Sequence, residues 1–309
     1  MREVSPLVIS LICAAGCAGA PRPLAADPKF PLLNPILALS ADAGISELQP
    51  FNHKIKALVA DRVRGKVVDH VSVYFRDFEA GSMKGVNFDE KFTPASLLKV
   101  PMLIAALKQA EKDPSFLKRR LRLGVPFRGA SYLSAPALVP GQEYSLEEVL
   151  RAMAVSSDND AFMMLKDAVD PVEQSAVYRD FGLVIPDVRT LDDSMTVREY
   201  ATFFRVLYNA SYLNKASSQK ALEYLSKSAF VDGLVAGVPA GVTVAHKFGE
   251  RFTEDGARRQ LHDCGVVYHP GRPYILCIMT RGDDFAKLSG VIRDLSSLVY
   301  GEVSANERR

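Results

Sequence analysis

Apolar residues along this chain change from alternating to helical spacing and back, which predicts strands near both ends and helices between them. Short runs rich in β-branched and aromatic residues predict the strands. These runs are 71–75, a weaker one at 85–92, 242–248, 264–268 and 273–279. Apolar residues three and four positions apart predict the helices. These are 51–64, a helix that opens at Ser96, 145–155, 161–168, 196–209, 217–226, 230–235 and 284–300.

Start signals refine some of these helices. Capping boxes begin at Ser145 and at Thr196, where a hydroxyl and a glutamate three residues later satisfy free backbone N–H groups. In the helix predicted at Ser96, we expect a distortion just after Lys99, because Pro101 lacks a backbone donor. Strands at both ends with helices between them predict an α+β fold, in which terminal helices pack on an antiparallel sheet beside an all-helical lobe.

The last two predicted strands form a hairpin with a four-residue loop, 269–272. If Tyr268 pairs with Pro273, Cys264 lies directly opposite Cys277. Two interpretations stay open. The cysteines form a disulfide, as an exported protein allows, or they are two buried small side chains. The second is favoured, because a cross-strand disulfide demands particular geometry.

The N-terminus is typical of an export signal, because a basic residue precedes the short apolar segment 7–12 and a series of small residues. The apolar segment is too short to span a membrane comfortably. Processing has two alternatives: a lipoprotein signal with lipid on Cys17, or ordinary cleavage after Ala20 or Ala26. The predicted divisions of the chain are an export signal at 1–26, a linker or arm at 27–50, one folded domain at 51–302 and a tail at 303–309.

Composition excludes several classes of partner. The 309 residues are 48% hydrophobic and carry a formal net charge of +2, so no strong field favours nucleic acid. The chain is long enough for one large domain or two intimate ones. No two histidines have metal-ligand spacing, and the sequence contains no Gly-x-Ser-x-Gly motif, so we expect no metal and no cofactor.

Ser96 and Lys99 open the most apolar stretch of the predicted domain, 96–107. Residues three apart share one face of a helix, so the lysine amine reaches the serine hydroxyl. Burial disfavours the charged form of a lysine and lowers its pKa. A neutral amine beside a hydroxyl can act as its general base. The pair therefore predicts a serine nucleophile with a lysine base.

Two further motifs follow in the chain. Ser157, Asp158 and Asn159 come directly after a capped helix, and Lys247, Phe248 and Gly249 end a strand. Ser-x-x-Lys, Ser-Asp-Asn and Lys-Thr-Gly, in this order, form the signature of class A β-lactamases and penicillin-binding proteins. The chain resembles that superfamily over about 51–302, essentially the whole predicted domain. The resemblance implies a five-stranded antiparallel sheet flanked by terminal helices plus an all-helical lobe.

The resemblance also implies catalytic roles. Ser96 attacks a lactam or peptide carbonyl and forms an acyl-enzyme. Lys99 is the base for that step, and the like charge of Lys247 helps to lower its pKa. Ser157 relays a proton to the leaving nitrogen.

Substrate-binding roles follow in the same way. Asn159 offers an amide donor to the acyl side chain, and Lys247 attracts the substrate carboxylate. The residues Phe248 and Gly249 continue this strand along the substrate. Two backbone N–H groups, those of Ser96 and of Glu250, form the oxyanion hole.

The chain departs from the superfamily in the segment that holds the deacylating glutamate of class A β-lactamases. The matching interval, 180–194, is shorter and contains no glutamate. Asp187, Asp192 or Asp193 would have to replace it, with a shorter side chain. We expect Asp193 or Ser194, at the end of this segment, to cap the helix that follows.

Phe248 is the second departure, because the superfamily has Thr or Ser at this position. The ring removes a hydroxyl that holds the substrate carboxylate and is expected to narrow the cleft. Tyr132 is a candidate aromatic wall, with a core or loop position as its alternative.

The sequence therefore predicts an exported, periplasmic or cell-envelope serine hydrolase that acts on β-lactams or related amides and is monomeric. The first alternative is a D-alanyl-D-alanine carboxypeptidase that acts on cell-wall peptides. The second is a non-catalytic module that binds muropeptides or β-lactams. A small-molecule substrate is the expected partner, with a lipid anchor to the membrane if Cys17 is modified.

Overall fold

A computed structural model describes residues 28–33, 49–78, 81–127, 137–187, 192–253 and 257–306 of the chain. The predicted export signal, Cys17, most of the predicted linker and Tyr132 lie outside these residues. Residues 28–33 of the linker lie on the domain, where Leu33 is buried and the Leu32 N–H donates to Gln219 Oε1 at 3.0 Å. Within the described part of the chain, no helix is long and apolar enough to cross a membrane.

Five antiparallel strands form the main sheet, in the order β2-β1-β9-β8-β7. Two short pairs, β3 with β6 and β4 with β5, lie outside it. The strands are β1 His70–Asp77, β2 Met83–Val86, β3 Lys91–Phe92, β4 Arg120–Arg122, β5 Glu143–Ser145, β6 Met195–Thr196, β7 Val244–Phe252, β8 Arg259–Val267 and β9 Tyr274–Gly282. The five-stranded antiparallel sheet that the resemblance implies is confirmed.

The helices divide between two places. The first and last pack on one face of the sheet, and the others form a lobe on the opposite face. The helices are α1 Gln49–Arg64, α2 Lys99–Lys112, α3 Leu146–Ser156, α4 Asn159–Ala168, α5 Pro171–Asp180, α6 Val197–Tyr208, α7 Lys215–Leu225 and α8 Phe285–Asn306. Both predicted capping boxes are present, at the starts of α3 and α6. The predicted α+β architecture is confirmed.

Side-chain alternation along the strands separates two apolar cores. Along β9, Leu276 and Ile278 face the terminal helices, whereas Cys277 and Met279 face the helical lobe. Successive side chains of a strand point to opposite faces of the sheet, so each strand contributes to both cores. The same alternation sorts the residues of β7, the edge strand beside the site.

Several predicted elements differ from the structure. The run 85–92 splits between β2 and β3, which belong to different sheets. The segment 230–235 is a turn that leads into a short 3-10 helix, Val235–Gly237, and the Asp263 carboxylate accepts the Leu234 N–H of this turn at 2.9 Å. Helix α5 was not predicted, although Asp170 caps it and Pro171 opens it. Helix α8 continues into the predicted tail as far as Asn306.

The hairpin of β8 and β9 has the register that the sequence predicts. Cys264 lies directly opposite Cys277, and the two residues form a disulfide that faces the lobe core. The favoured interpretation, two unbonded buried cysteines, is therefore wrong, and the disulfide alternative is the one present.

Candidate active site

Ser96 lies in a short 3-10 turn, Ala95–Leu98, that leads directly into α2. Three residues per turn place residues i and i+3 above one another, so Lys99, the first residue of α2, stands over Ser96. The Lys99 Nζ atom donates to Ser96 Oγ at 2.9 Å. The structure thus brings the two side chains into contact, as their spacing predicts.

The backbone around this turn differs from the sequence prediction. Helix α2 begins at Lys99, so Pro101 is its third residue. The first N–H groups of a helix have no intrahelical acceptor, and proline costs no hydrogen bond there. The expected distortion after Lys99 is therefore wrong. The unusual backbone precedes the serine instead, because Ala95 has a φ of 49°, a region that residues with a Cβ rarely occupy.

Lys99 is buried among hydrogen-bond acceptors. Its ammonium nitrogen donates to the Ser157 carbonyl oxygen at 2.7 Å, to Ser157 Oγ at 3.1 Å and to Asn159 Oδ1 at 2.7 Å. Only 3% of the residue is exposed. Burial lowers the pKa of Lys99 to about 7, and the carboxylates of Asp158 and Glu250 oppose that change. A substantial share of Lys99 is therefore neutral near pH 7.

A sharp corner between α3 and α4 presents Ser157 and Asn159. Ser157 ends α3 in the left-handed region, with a φ of 55°. Asp158 then caps α4, because its carboxylate accepts the N–H of Ala161 at 2.9 Å. The second oxygen of Asp158 accepts the Leu138 N–H at 3.0 Å. The buried aspartate thus holds the corner, and the residues on either side of it face Lys99.

Lys247 approaches the same serine from strand β7. Its ammonium nitrogen donates to Ser157 Oγ at 2.9 Å and to the Phe248 carbonyl oxygen at 2.8 Å. Burial and repulsion from Lys99 hold the pKa of Lys247 well below its usual range. Burial, and not the charge of Lys247, is the main reason for the lowered pKa of Lys99. The expected contribution of Lys247 to the pKa of Lys99 is therefore not among the main causes.

These contacts join the two lysines through one hydroxyl. Ser157 Oγ accepts from Lys99 on one side and from Lys247 on the other. Together with the bond from Lys99 to Ser96, they form a continuous hydrogen-bonded run from the nucleophile to strand β7. A proton removed from Ser96 can therefore reach Ser157 through a single amine.

The ring of Phe248 lies beside the ammonium group of Lys247, whose nitrogen is 4.0 Å from the ring centroid. The ring is 1% exposed and packs on Phe230, with 4.6 Å between the ring centroids. Alternation places Lys247 and Gly249 toward the lobe and Phe248 toward the terminal helices. The expectation that the ring narrows the cleft is not met, because the side chain fills the terminal-helix core. Phe248 still lacks the hydroxyl that the superfamily has at this position.

Gly249 allows β7 to approach the Ser96 turn closely. A Cβ atom at this position would stand 2.9 Å from Leu97 Cγ and 3.0 Å from the Pro94 carbonyl oxygen. Only a residue without a side chain leaves room for this approach. Glu250 follows at the cavity wall. Its backbone N–H is one of the two predicted oxyanion donors, and the spacing of β7 from the turn sets its position.

A cavity of about 360 Å³ opens beside Ser96 and Lys99. Its lining includes the Ser96 turn, part of α4, strand β7 and the segment that ends at Ser194. The apolar side chains of Phe127, Phe162 and Met163 form much of the wall. The site can therefore bind a small molecule with an apolar part against α4.

The structure describes the segment 180–194 except for 188–191. The three aspartates of this segment that could replace the missing glutamate lie in different surroundings. Asp187 and Asp192 line the cavity. Asp193 instead accepts from Thr93 Oγ1 at 2.9 Å and from Arg281 at 2.6 Å, so it is committed to the scaffold. Neither it nor Ser194 caps α6, whose cap is Thr196, and the predicted capping role is wrong.

Two buried histidines serve the scaffold. His246 and Asp263 form a buried contact of 2.7 Å between Nδ1 and Oδ1. His262 Nε2 lies 3.1 Å from the Thr93 carbonyl oxygen, and burial lowers its pKa to about 4. Within the described residues, no three histidine, cysteine, aspartate or glutamate side chains are grouped to hold a metal ion.

Sequence reasoning missed several residues of the cavity wall. Arg251, Lys166 and Phe127 line it, yet none belongs to a motif. Alternation along β7 is the signal that could have found Arg251, because it has the same parity as Lys247 and Gly249. No comparable signal in the sequence marks the other two.

Residues 50–303 match the family described as the beta-lactamase enzyme family. No curated protein matches the sequence.

Solved structures of similar fold include a mutant of PBP-A in an acyl-enzyme complex with penicillin G. It is 25% identical, with a TM-score of 0.71, over 84% of this chain and 97% of that one. A β-lactamase from Chitinophaga pinensis is 22% identical, with a TM-score of 0.71, over 82% and 100% of the two chains. A class A β-lactamase from Mycobacterium abscessus is 21% identical, with a TM-score of 0.70, over 81% and 99%. The last two comparisons establish the fold alone.

Proposed function

The chain belongs to the beta-lactamase enzyme family and is a serine hydrolase, and from this premise we propose that it is exported and forms an acyl-enzyme at Ser96 with β-lactams or related amides. The observation that carries the proposal is the hydrogen-bonded run from Ser96 through Lys99 to Ser157. This run borders a cavity large enough for a small amide. A mutant of PBP-A, a protein of similar fold, forms an acyl-enzyme complex with penicillin G.

Acylation begins with proton transfer from the nucleophile. Neutral Lys99 accepts the proton of Ser96 Oγ, which lies 2.9 Å away. The serine oxygen then forms a bond to the carbonyl carbon of the substrate. The backbone N–H groups of Ser96 and Glu250 stabilise the negative charge that develops on the carbonyl oxygen.

Collapse of the tetrahedral intermediate breaks the carbon–nitrogen bond. Ser157 Oγ gives its proton to the leaving nitrogen and receives the proton held by Lys99, at 3.1 Å. Lys247 donates a hydrogen bond to Ser157 Oγ at 2.9 Å, which stabilises the hydroxyl oxygen as its proton leaves. The products are an ester on Ser96 and a free amine, with Lys99 neutral again.

Release of the acyl group needs a base that activates water, and Asp187 and Asp192 are the carboxylates of segment 180–194 that line the cavity. We expect the double variant Asp187→Asn/Asp192→Asn to accumulate the Ser96 ester, because loss of a general base slows such a step by about 10²- to 10⁴-fold. Mass spectrometry of quenched reactions measures the adduct. The single variants then assign the base to one residue.

Asp167→Asn is the matched control for this experiment, because Asp167 is exposed on α4 and does not line the cavity. It should leave turnover unchanged. Unchanged turnover in the double variant would rule out both aspartates as the base.

The test of the proposed function is mass spectrometry of the mature protein with a penicillin and a chromogenic cephalosporin. We expect product to accumulate with a transient adduct, and Ser96→Ala to abolish both. Turnover that survives in Ser96→Ala would exclude Ser96 as the nucleophile. The mass of the mature protein also reports cleavage after Ala20 or Ala26, or lipid on Cys17.

A D-alanyl-D-alanine carboxypeptidase is the second candidate, favoured by the absence of glutamate from 180–194. Such an enzyme resolves its natural acyl-enzyme without that residue. A persistent penicillin adduct on Ser96, with hydrolysis of a D-alanyl peptide, would support it. A persistent adduct without peptide hydrolysis would support a non-catalytic β-lactam-binding module.

A further inference from the structure

Strand β7 gives the site a direction. Lys247 lies at the Ser157 end, where the leaving nitrogen takes its proton, and Gly249 packs against the turn that holds Ser96. At about 3.3 Å per residue, Arg251 is about 7 Å beyond Gly249 along the strand. A substrate whose leaving nitrogen faces Ser157 therefore extends its acyl part toward Arg251.

Arg251 joins two cavities. It lines the catalytic cavity and also a neighbouring one of about 310 Å³, which Arg258 and Arg281 line as well. Arg281 is committed to Asp193 at 2.6 Å. Within the described part of the chain, neither a hydrogen bond nor an ion pair engages the guanidinium of Arg251. Asp192 also lines both cavities, but no ion pair joins it to Arg251.

The Ser157 end of the site offers less to an anion. The ammonium group of Lys247 is buried and already donates to Ser157 Oγ and to the Phe248 carbonyl oxygen. Phe248 supplies no hydroxyl, and its ring is packed against Phe230. The partly exposed cation on β7 is Arg251, on the acyl side of the nucleophile.

We infer that Arg251 binds an anionic group on the acyl part of the substrate, so that the enzyme prefers amides whose acyl side chain carries a carboxylate. Arginine pairs with a carboxylate through two parallel N–H donors, which gives both strength and orientation. Arg258 adds positive charge in the neighbouring cavity, which Arg251 also lines. This inference rests on the proposed function, because it takes Ser96 as the acylated residue.

Two penicillins test it, because carbenicillin differs from benzylpenicillin by one carboxylate on the acyl side chain. The second-order rate of acylation is measured for wild type, Arg251→Gln, Arg251→Lys and the exposed control Arg293→Gln. We expect Arg251→Gln to lower the rate for carbenicillin about tenfold or more and to leave benzylpenicillin within about twofold. Arg251→Lys should retain part of the preference for carbenicillin over benzylpenicillin. Arg293→Gln should retain all of this preference.

Equal losses for both penicillins in Arg251→Gln would overturn the inference and assign the residue a structural role. An unchanged preference would also overturn it. If neither penicillin acylates wild type, β-lactam chemistry fails, and binding to Ser96→Ala decides the role of Arg251. Calorimetry then measures the binding of two probes, phenylacetamide and the monoamide of phenylmalonic acid. The inference is supported if the monoamide binds more tightly than phenylacetamide and if Arg251→Gln removes this difference. Equal binding of the two amides would refute it.

Discussion

Replacing Lys99 with methionine is expected to lower the rate of Ser96 acylation by about 10³-fold, within the range for loss of a general base. Methionine fills a similar volume but accepts no proton, and it also removes the donor that reaches Ser157 and Asn159. Stopped-flow acylation or time-resolved mass spectrometry measures the rate. Thermal unfolding of the variant shows whether the fold persists.

The pH dependence of wild type belongs to the same prediction. Because only neutral Lys99 accepts the serine proton, acylation should rise with pH and level off above the pKa of about 7. One pH unit below that value, the rate should be about a tenth of the plateau. The methionine variant should lose this dependence.

Lys112→Met provides the matched control, because Lys112 lies on the same helix with an exposed ion pair to Glu173. Its acylation rate and pH profile should equal those of wild type. A wild-type rate that rises only near pH 10, or a methionine variant with an unchanged rate, would exclude Lys99 as the base.

Gly249→Ala is expected to lower acylation by about 10²-fold, although the change adds a single methyl group. The new Cβ would stand 2.9 Å from Leu97 Cγ and 3.1 Å from the Leu97 backbone nitrogen, so the strand or the turn must move by a few tenths of an ångström. The backbone N–H groups of Ser96 and Glu250 would then no longer converge on one oxygen. Misplacing an oxyanion donor costs about 10²- to 10³-fold.

The control is Gly124→Ala, because no atom lies within 4 Å of a Cβ at that position. It should acylate at the wild-type rate. The pH midpoint near 7 should persist in Gly249→Ala, since burial is the main cause of the lowered pKa of Lys99 and a shift of a few tenths of an ångström leaves the lysine buried. Acylation within about twofold of wild type in Gly249→Ala would mean that the contact does not set the oxyanion hole.

The features that could be predicted in advance depend on residues that are close along the chain. Contact between Ser96 and Lys99 depends on residues three apart, and the capping boxes at Ser145 and Thr196 depend on the same short spacing. The register of Cys264 with Cys277 depends on a four-residue loop, and it was predicted correctly. Whether the two sulfurs bond was not, because that depends on how closely the two strands approach.

The sequence by itself determined the fold class, the sheet-and-lobe architecture and the order of the three motifs, because these depend on periodicity and on neighbours close along the chain. Tertiary packing alone decided that Phe230 covers the ring of Phe248, why Asp193 is unavailable to the cavity and that Phe127 and Lys166 stand at its wall. Each of these outcomes depends on segments far apart in the chain that meet in the fold. Phe230 receives the ring of Phe248, and Arg281 binds Asp193. A linear pattern records which side chains are present, but contacts between distant segments determine which of them reach the substrate.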